Sequence, residues 1–442
     1  MPVLATRSER QQGRPLTTEE IFEVTRERET ALSRLVVVYI TSGLFFMLLP
    51  GTFLGVWNLL AISARHAADS VTPAWIQAHG HAQIFGWIGS FILGIGFYSI
   101  PKLRRSDPFA LFIPWTCWAL WTTGVAMRWV SNVYQWHWRW TLPLSGALEL
   151  AAFLIFFAAV SGHRAKPSDQ PQRWVLVVAA ASLGLLLNLL LNLGAGLYLA
   201  VRGVTPAFPP EFDQRYLVLS TWGFLVPFVW GFSAKWLPVF LGLRPVRERT
   251  LLGAAALNLL GVLAALAGWM AMTAAVLLAG MLTACVALRL FEAPQQSAKV
   301  KGVHHSFPVF VRLAYLWAMV AALLGMWAAF SPHPLGIWGA SRHALTVGFL
   351  ATMVFCIGQR VLPAFSGMRL LFSARLMFVG LLLLTAGCLL RVTFEILAYQ
   401  GFAGWAWPWL KASAITEMGA VTIFAVNLLC TFASRPTGPA PV

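Results

Sequence analysis

The chain has 442 residues, of which 58% are hydrophobic and only 11% are charged. Soluble proteins carry about 25% charged residues, so this composition excludes an ordinary soluble domain and indicates a protein of the lipid bilayer. A net charge of +16 would suggest a nucleic-acid partner in a soluble domain. Here basic loops at one membrane face explain it, and we expect no nucleic-acid partner.

Apolar stretches long enough to cross a bilayer as a helix recur along the chain. Twelve are predicted, at about 34–60, 79–101, 109–130, 141–161, 174–201, 216–241, 250–268, 270–289, 309–330, 343–363, 370–391 and 410–433. They predict an all-α polytopic membrane protein. A twelve-helix domain at 31–434 would lie between cytoplasmic tails at 1–30 and 435–442, and the first thirty residues are too polar for a signal peptide.

The distribution of lysine and arginine predicts the orientation. With the N-terminus inside, 24 of the 32 basic residues fall on the cytoplasmic side, as the positive-inside rule requires. The eight expected outside are Arg65, Arg128, Arg139, Arg202, Arg215, Arg342, Arg391 and Lys411. An odd number of helices would mix the inside and outside sets of basic residues. We therefore expect an even number of spans, with both termini in the cytoplasm.

Helices 2, 6 and 10 share a sequence pattern. Each ends on a proline with a glycine fifteen residues earlier, and the prolines are Pro101, Pro238 and Pro363. Twenty residues before these prolines stand His81, Val218 and His343. The prolines are 137 and 125 residues apart, about four helices each, which predicts three pseudo-repeated four-helix units around a shared centre.

Histidines open two of these helices near the predicted external face. Imidazole is costly in a membrane span and is a common axial ligand of heme iron. Because His81 and His343 occupy matched positions, we interpret them as the two ligands of one b-type heme. The alternative is that both bond only to water or to carbonyl groups. Arg342, next to His343, is a candidate partner for a heme propionate.

His79 lies about 200° around the helix from His81, so the two imidazoles should serve different places. Either His79 holds a second heme or a copper ion, or it ends the helix in water. We expect an external loop after the third helix, at residues 128–140, where tryptophans are frequent. It is either an aromatic belt or a lid with Arg139 as a second propionate partner and His137 as a metal ligand.

Three carboxylic acids, Glu149, Glu395 and Glu417, lie in outer parts of predicted helices. Each is either a proton relay or the ion-pair partner of Arg128, Arg391 or Lys411, because an unpaired charge there is costly.

Two motifs carry a resemblance to known families. Residues 79–87 (His-Gly-His-Ala-Gln-Ile-Phe-Gly-Trp) and 100–103 (Ile-Pro-Lys-Leu) resemble the His-x-His helix of heme–copper oxidase subunit I. The closer resemblance is to the NnrS family of bacterial inner-membrane proteins. Its His-Ala-His-Glu-Met and His-Ala-x-Thr-Val-Gly motifs are similar to residues 79–83 and 343–348. The helix plan resembles these proteins over about 34–433, but the distinctive motifs cover only about fifty residues.

The resemblance implies a heme- and copper-containing protein of the bacterial inner membrane, linked to nitric oxide metabolism and nitrosative stress. One or two b-type hemes, possible copper, a redox partner protein and an oxidoreductase activity on nitric oxide follow as expectations. One departure is Gln83, where the NnrS pattern has an acidic residue. Helices 6 and 7 also lack the histidines of an oxygen-reducing copper site, so reduction of dioxygen is not expected.

Two other functions remain open. A heme protein without a substrate site would be an electron-transfer or oxidase-like subunit of a respiratory complex. A heme-free transporter would also show internal repeats, although transporters usually carry broken helices at the membrane midplane.

Overall fold

The computed structural model describes residues 18–104, 109–162 and 172–435. Twelve long helices cover most of these residues. They are α1 (18–65), α2 (73–104), α3 (Phe112–Val133), α4 (Trp138–Gly162), α5 (Trp174–Arg202), α6 (Pro210–Leu241), α7 (Glu248–Leu266), α8 (Met270–Leu288), α9 (Phe307–Phe330), α10 (Leu335–Phe365), α11 (Ala374–Tyr399) and α12 (Trp407–Ala433). The predicted all-α plan of twelve helices is confirmed.

Eleven of the twelve are long and apolar enough to cross a membrane by length and composition. The exception is α3, which is 22 residues long but contains Arg128 and several tryptophans. It packs along α4 as a full-length neighbour. Arg128 is buried, and the indole nitrogens of Trp118, Trp121 and Trp129 donate to groups of α1 and α2. These polar groups thereby escape the cost that lipid would impose on them, so we interpret α3 as the twelfth span.

The tails predicted from the sequence lie mostly outside the described residues, which exclude 1–17 and 436–442. Residues 18–30, however, are helical and continuous with the first span, so α1 begins inside the segment predicted as a tail. A second difference concerns the tryptophan-rich segment. α3 continues to Val133 and α4 begins at Trp138, so the expected loop at 128–140 is only a short turn at 134–137.

The three-unit repeat is visible in the backbone. Within α2, α6 and α10 a π-helical segment begins directly after His81, Val218 and His343, at Ala82–Gly89, Leu219–Leu225 and Ala344–Ala351. These segments start 137 and 125 residues apart, the spacings of the helix-ending prolines. A fourth π-helical segment, Met47–Phe53, interrupts α1 around Pro50. π-helical segments are rare in proteins overall, and those that occur often lie at functional sites.

The repeated glycines allow the first helix of each unit to approach the second closely. A Cβ atom at Gly86 would lie 2.7 Å from Phe46 of α1, and one at Gly348 would lie 2.6 Å from Trp317 of α9. In the middle unit the contact is reversed, because a Cβ at Gly184 of α5 would collide with the carbonyl oxygen of Gly223. Each unit therefore joins its first two helices at the π-helical segment.

The units form a closed ring around α2, α6 and α10. The last two helices of every unit, α3 with α4, α7 with α8 and α11 with α12, pack along their lengths. Neighbouring units meet through α4 with α5, α8 with α9 and α12 with α1. Inside the ring, Trp87 of α2 contacts Phe355 of α10 and Phe424 of α12. Arg360 of α10 lies over the ring of Phe240 of α6.

Candidate functional site

The imidazole of His79 is held against α1. Its Nδ1 lies 2.8 Å from the carbonyl oxygen of Gly51. A carbonyl can only accept, so Nδ1 carries the proton and the lone pair is on Nε2. Within the described residues no hydrogen bond to Nε2 is formed, which leaves that nitrogen able to bind a metal.

Two glycines of α1, one helical turn apart, form the surface on which His79 lies. A Cβ atom at Gly55 would be 2.5 Å from Cε1 and 2.7 Å from Nδ1 of His79. A Cβ at Gly51 would be 2.6 Å from Nε2 of Gln83. That amide nitrogen donates to Oγ1 of Thr52 at 2.9 Å. Gln83, the departure from the NnrS pattern, thus fastens α2 to the π-helical segment of α1.

His343 is held in a similar way from the other side. Its Nδ1 lies 2.9 Å from the carbonyl oxygen of Gly339 and 3.0 Å from Oε2 of Glu395. Both are acceptors, so Nδ1 again carries the proton and Nε2 keeps its lone pair. Arg391 lies 3.3 Å from the same carboxylate oxygen and shares the buried Glu395. A Cβ at Gly339 would collide with Glu395, so this glycine makes room for the carboxylate.

These two histidines lie near each other. His79 interacts electrostatically with His343 and Arg391, and Glu417 with His343, Arg391 and Glu395. α2, α10, α11 and α12 therefore bring together two imidazoles with free Nε2 atoms and a guanidinium whose Nη1 has no partner within the described residues. A carboxylate or carbonyl on the second nitrogen is the usual arrangement around a metal-binding histidine, because it fixes the ring and its tautomer.

His81 faces a different helix. Its Nε2 lies 2.8 Å from Oε1 of Glu149 in α4, and both side chains are buried. The ring also stacks on Phe85. His79 and His81 point to α1 and α4 respectively, as the helical geometry predicted. The predicted pairing of His81 with His343 stays a prediction, but the contacts favour His79 as the partner of His343.

A second polar cluster surrounds the His81–Glu149 pair. Arg128 is 2% exposed and lies over the ring of Phe208, with its Cζ 4.5 Å from the ring centre. It interacts electrostatically with Glu149, Asp213 and Tyr216. Buried atoms that find no hydrogen-bond partner in the described part of the chain accumulate here: Nε and Nη1 of Arg128, Oε2 of Glu149, the hydroxyl of Tyr216, and Oδ1 of Asn188. Buried polar atoms are nearly always bonded, so this cluster is built to hold water or a polar group.

The other predicted site residues lie elsewhere. Arg139 donates from Nη1 to the carbonyl oxygen of Ala200 at 2.9 Å and from Nη2 to that of Gly203 at 3.2 Å, which closes the end of α5. His137 lies exposed in the turn at 134–137, with its ring against Trp136. Arg342 donates to the carbonyl oxygen of Trp338 and interacts electrostatically with Glu395 and Asp213. Of the three, only Arg342 is near the imidazoles.

Sequence reasoning did not single out Gly51, Gly55 and Gly339. The sequence does contain a pattern that could have indicated them: two glycines lie four residues apart in α1, and another lies four residues before His343. Among the described residues there is no group of three or more His, Cys, Asp or Glu side chains placed to hold a metal ion. The prediction of copper therefore depends on the resemblance alone.

Comparisons with known proteins agree with the helix plan. One solved structure, described as "Cryo-EM structure of a heme-copper terminal oxidase dimer provides insights into its catalytic mechanism", matches with a TM-score of 0.56 and 11% identity over 93% of this chain and 86% of that chain. A family described as "Domain of unknown function (DUF8744)" matches residues 237–432, less than half of the chain. No curated protein matches.

The chain is a polytopic membrane protein with the fold of heme–copper oxidase subunit I. At 11% identity the match establishes this fold and leaves the chemistry to the residues of the site.

Proposed function

We propose that this protein is a heme-binding redox protein of the bacterial inner membrane, and that His79 and His343 are the axial ligands of one b-type heme. The observation that carries the proposal is the matched state of the two imidazoles. Each has Nδ1 bonded to a carbonyl oxygen and Nε2 without a hydrogen bond within the described residues, and the two lie within electrostatic reach of each other.

The surrounding residues fit a heme. Arg391 has a free Nη1 and Arg342 lies on the same side, so both are candidate partners for the propionates. Trp87, whose indole nitrogen has no partner within the described residues, is a further donor nearby on α2. A heme with two histidine ligands supplies one-electron transfer. The protein fixes the ligand rings through Gly51, Gly339 and Glu395, so that little reorganisation accompanies a change of charge.

An optical spectrum of the purified protein, with four alanine variants, tests the ligands. His79→Ala and His343→Ala should each abolish the low-spin features. His81→Ala and the control His137→Ala, which removes an exposed imidazole from the turn at 134–137, should keep them. Loss in His81→Ala with retention in His79→Ala would establish the pairing of His81 with His343 instead. Absence of a Soret band in protein made with ample heme would reject heme binding and favour a transporter.

We propose nitric oxide as the substrate, on the basis of the NnrS-like motifs. Iron with two histidine ligands has no open position, so reaction with nitric oxide requires a second centre or loss of one ligand. The cluster around His81, Glu149 and Arg128 is the candidate for that second centre, with a second heme or copper as its cofactor. Heme quantification and metal analysis give the number of centres directly.

Electron transfer to a partner protein is the competing function, and a heme held by two histidines would favour it. Adding nitric oxide to the reduced protein under anaerobic conditions distinguishes this function from nitric oxide turnover. Consumption of nitric oxide at an electrode, lost in His81→Ala, would support the substrate role. A spectrum unchanged by nitric oxide would assign the protein to electron transfer alone.

A further inference from the structure

A cavity of about 980 Å³ lies at the membrane face opposite the histidines. It is bounded by the start of α5, the end of α6, the start of α7 and the segment at 295–299. The spans Trp174–Arg202, Pro210–Leu241 and Glu248–Leu266 all begin or end here, so the opening lies at the boundary between lipid and water. This is the face that the charge distribution predicts as cytoplasmic.

The lining of this cavity is strongly basic. It contains five cations and one carboxylate, namely Arg173, Lys235, Arg247, Arg249, Lys299 and Glu248. Arg173 is paired with Glu248 at 3.7 Å, and Arg247 with Glu292 outside the lining at 2.9 Å. Lys235 donates to the neutral amide of Gln172 at 3.0 Å. Among the described residues, carboxylates therefore neutralise only part of the positive charge of the lining.

The backbone holds this charged surface in shape. The amides of Gln295 and Gln296 donate to the carbonyl oxygen of Gly242, and the amide of Lys299 donates to that of Phe240. Gly242 has a φ of +66°, and a Cβ there would collide with the carbonyl oxygen of Gln296. The segment at 295–299 is thus bonded to the end of α6, which holds Lys299 in the same lining as Lys235.

Apolar surface adjoins the charge. Val239 on the cavity wall is 49% exposed, and Leu176, near the start of α5, is 59% exposed. Both belong to membrane spans, so lipid chains can pack beside the basic lining. A water molecule occupies about 30 Å³, so the cavity has room for a whole phosphodiester headgroup with its hydration. Basic pockets between helices at this face are a known form of lipid headgroup site.

We propose that this cavity binds the phosphodiester headgroup of an anionic phospholipid through Lys235, Arg249 and Lys299. Guanidinium and ammonium groups bind phosphate oxygens by charge-assisted hydrogen bonds. The proposal is independent of the heme and of nitric oxide chemistry.

The test uses the full chain in detergent with phosphatidylglycerol, phosphatidylcholine or inorganic phosphate, and native mass spectrometry measures bound lipid. The site variant is Lys235→Gln with Arg249→Gln and Lys299→Gln. The matched control removes three exposed charges outside the lining, as Arg244→Gln with Lys301→Gln and Arg375→Gln. Affinity for phosphatidylglycerol should fall roughly tenfold or more in the site variant only, and phosphatidylcholine should bind weakly to every variant.

Equal losses of phosphatidylglycerol affinity in the two triple variants would show that only the net charge of the protein matters, which would overturn the proposal. Displacement of phosphatidylglycerol by millimolar inorganic phosphate would assign the cavity to a soluble phosphate compound instead. Circular dichroism checks that the site variant is folded. If it is not, the exposed single change Arg249→Gln in the first turn of α7, compared with the exposed Arg244→Gln just before that helix, gives the same comparison with a smaller expected loss.

Discussion

At the scale of single residues, two glycines of α1 decide where the imidazole of His79 lies. Gly51 supplies the carbonyl that binds Nδ1, and Gly55 leaves the space that the ring occupies. A glycine costs conformational entropy in a helix, so two of them one turn apart are retained for close packing rather than for helix stability.

Substitution of Gly55 by alanine tests this arrangement. The new methyl group would lie 2.5 Å from Cε1 of His79, so the ring must rotate away from its position. We expect Gly55→Ala to lose the low-spin heme spectrum while the helical content is kept. The control is Gly253→Ala, where a Cβ meets nothing within 4 Å. An unchanged heme spectrum in Gly55→Ala would show that His79 is not held for ligation.

The buried pair of His81 and Glu149 supports a stability prediction. Glu149 is fully buried, and its removal leaves His81 without its partner and leaves Arg128 with Asp213 as its remaining nearby carboxylate. Breaking such a pair from one side costs about 3 kcal/mol or more. Glu149→Ala should therefore lower the Tm in detergent much more than Glu149→Gln, whose amide oxygen can still accept from Nε2 of His81. Equal Tm values for the two variants would contradict this account.

The sequence indicated the candidate ligands but favoured a pairing different from the one that the contacts favour. Helical periodicity correctly separated His79 from His81. The repeat, however, matched His81 with His343. In the structure these two histidines have similar surroundings rather than a shared site, because each contacts a carboxylate of its own four-helix unit: His81 contacts Glu149, and His343 contacts Glu395. The choice of the imidazole that lies near another unit depends on how helices distant in sequence pack together. Periodicity within one helix carries no information about that packing.

At the scale of elements, the π-helical segments mark where the first two helices of each unit touch. A wider turn displaces backbone groups from the regular helix pattern, and the repeated glycines bring the neighbouring helix against it. The proline and glycine spacing revealed this repeat from the sequence. The π-helical geometry itself could not be predicted, because no residue pattern in Ala82–Gly89 or Leu219–Leu225 distinguishes it from an ordinary α-helix.

The contact between α5 and α6 is the tightest of these and gives a prediction. A methyl group at Gly184 would collide with the carbonyl oxygen of Gly223, a backbone atom that cannot rotate away. Gly184→Ala should destabilise the protein by about 1–3 kcal/mol, as overpacking does in other cores. Thermal unfolding compared with Gly194→Ala, on the same helix with nothing within 4 Å, measures the effect. The idea fails if both variants unfold at the same temperature.

The tryptophan-rich segment shows the limit of composition as a guide. The aromatic and polar character of residues 128–140 predicts a loop, yet nine of these residues belong to α3 and α4. Arg128 is buried inside the bundle instead of lying at the surface. Tertiary burial overrode local character here, since the neighbouring Glu149, Asp213 and Phe208 give the guanidinium its environment.

At the scale of the whole molecule, the even number of spans fixes the relation between the termini. α3 is the span that hydropathy passes over, and without it the two ends would lie on opposite faces. A topology reporter placed in the turn at 134–137 should be active outside, and reporters fused near residues 18 and 435 should both be active inside. Opposite locations of the termini would remove α3 from the membrane and reverse the predicted faces of all later loops.

The closed ring of twelve helices was predictable because it follows from the length of apolar runs and from a repeat of four. The face on which the polar groups gather was predictable too, since His79, His81 and His343 stand at helix mouths. What the sequence could not supply is the distribution of buried partners, such as the bond from His79 to Gly51 and the sharing of Glu395 by His343 and Arg391.

The middle unit carries the same π-helical segment as its neighbours but has Val218 where they have histidine. The irregular turn therefore does not depend on a histidine beside it: the turn belongs to the scaffold, and the histidines are additions to it. Such a scaffold offers a vacant third position for engineering. A histidine introduced by Val218→His would stand on the same threefold plan as His81 and His343, and the protein could acquire a new ligand there without a new fold.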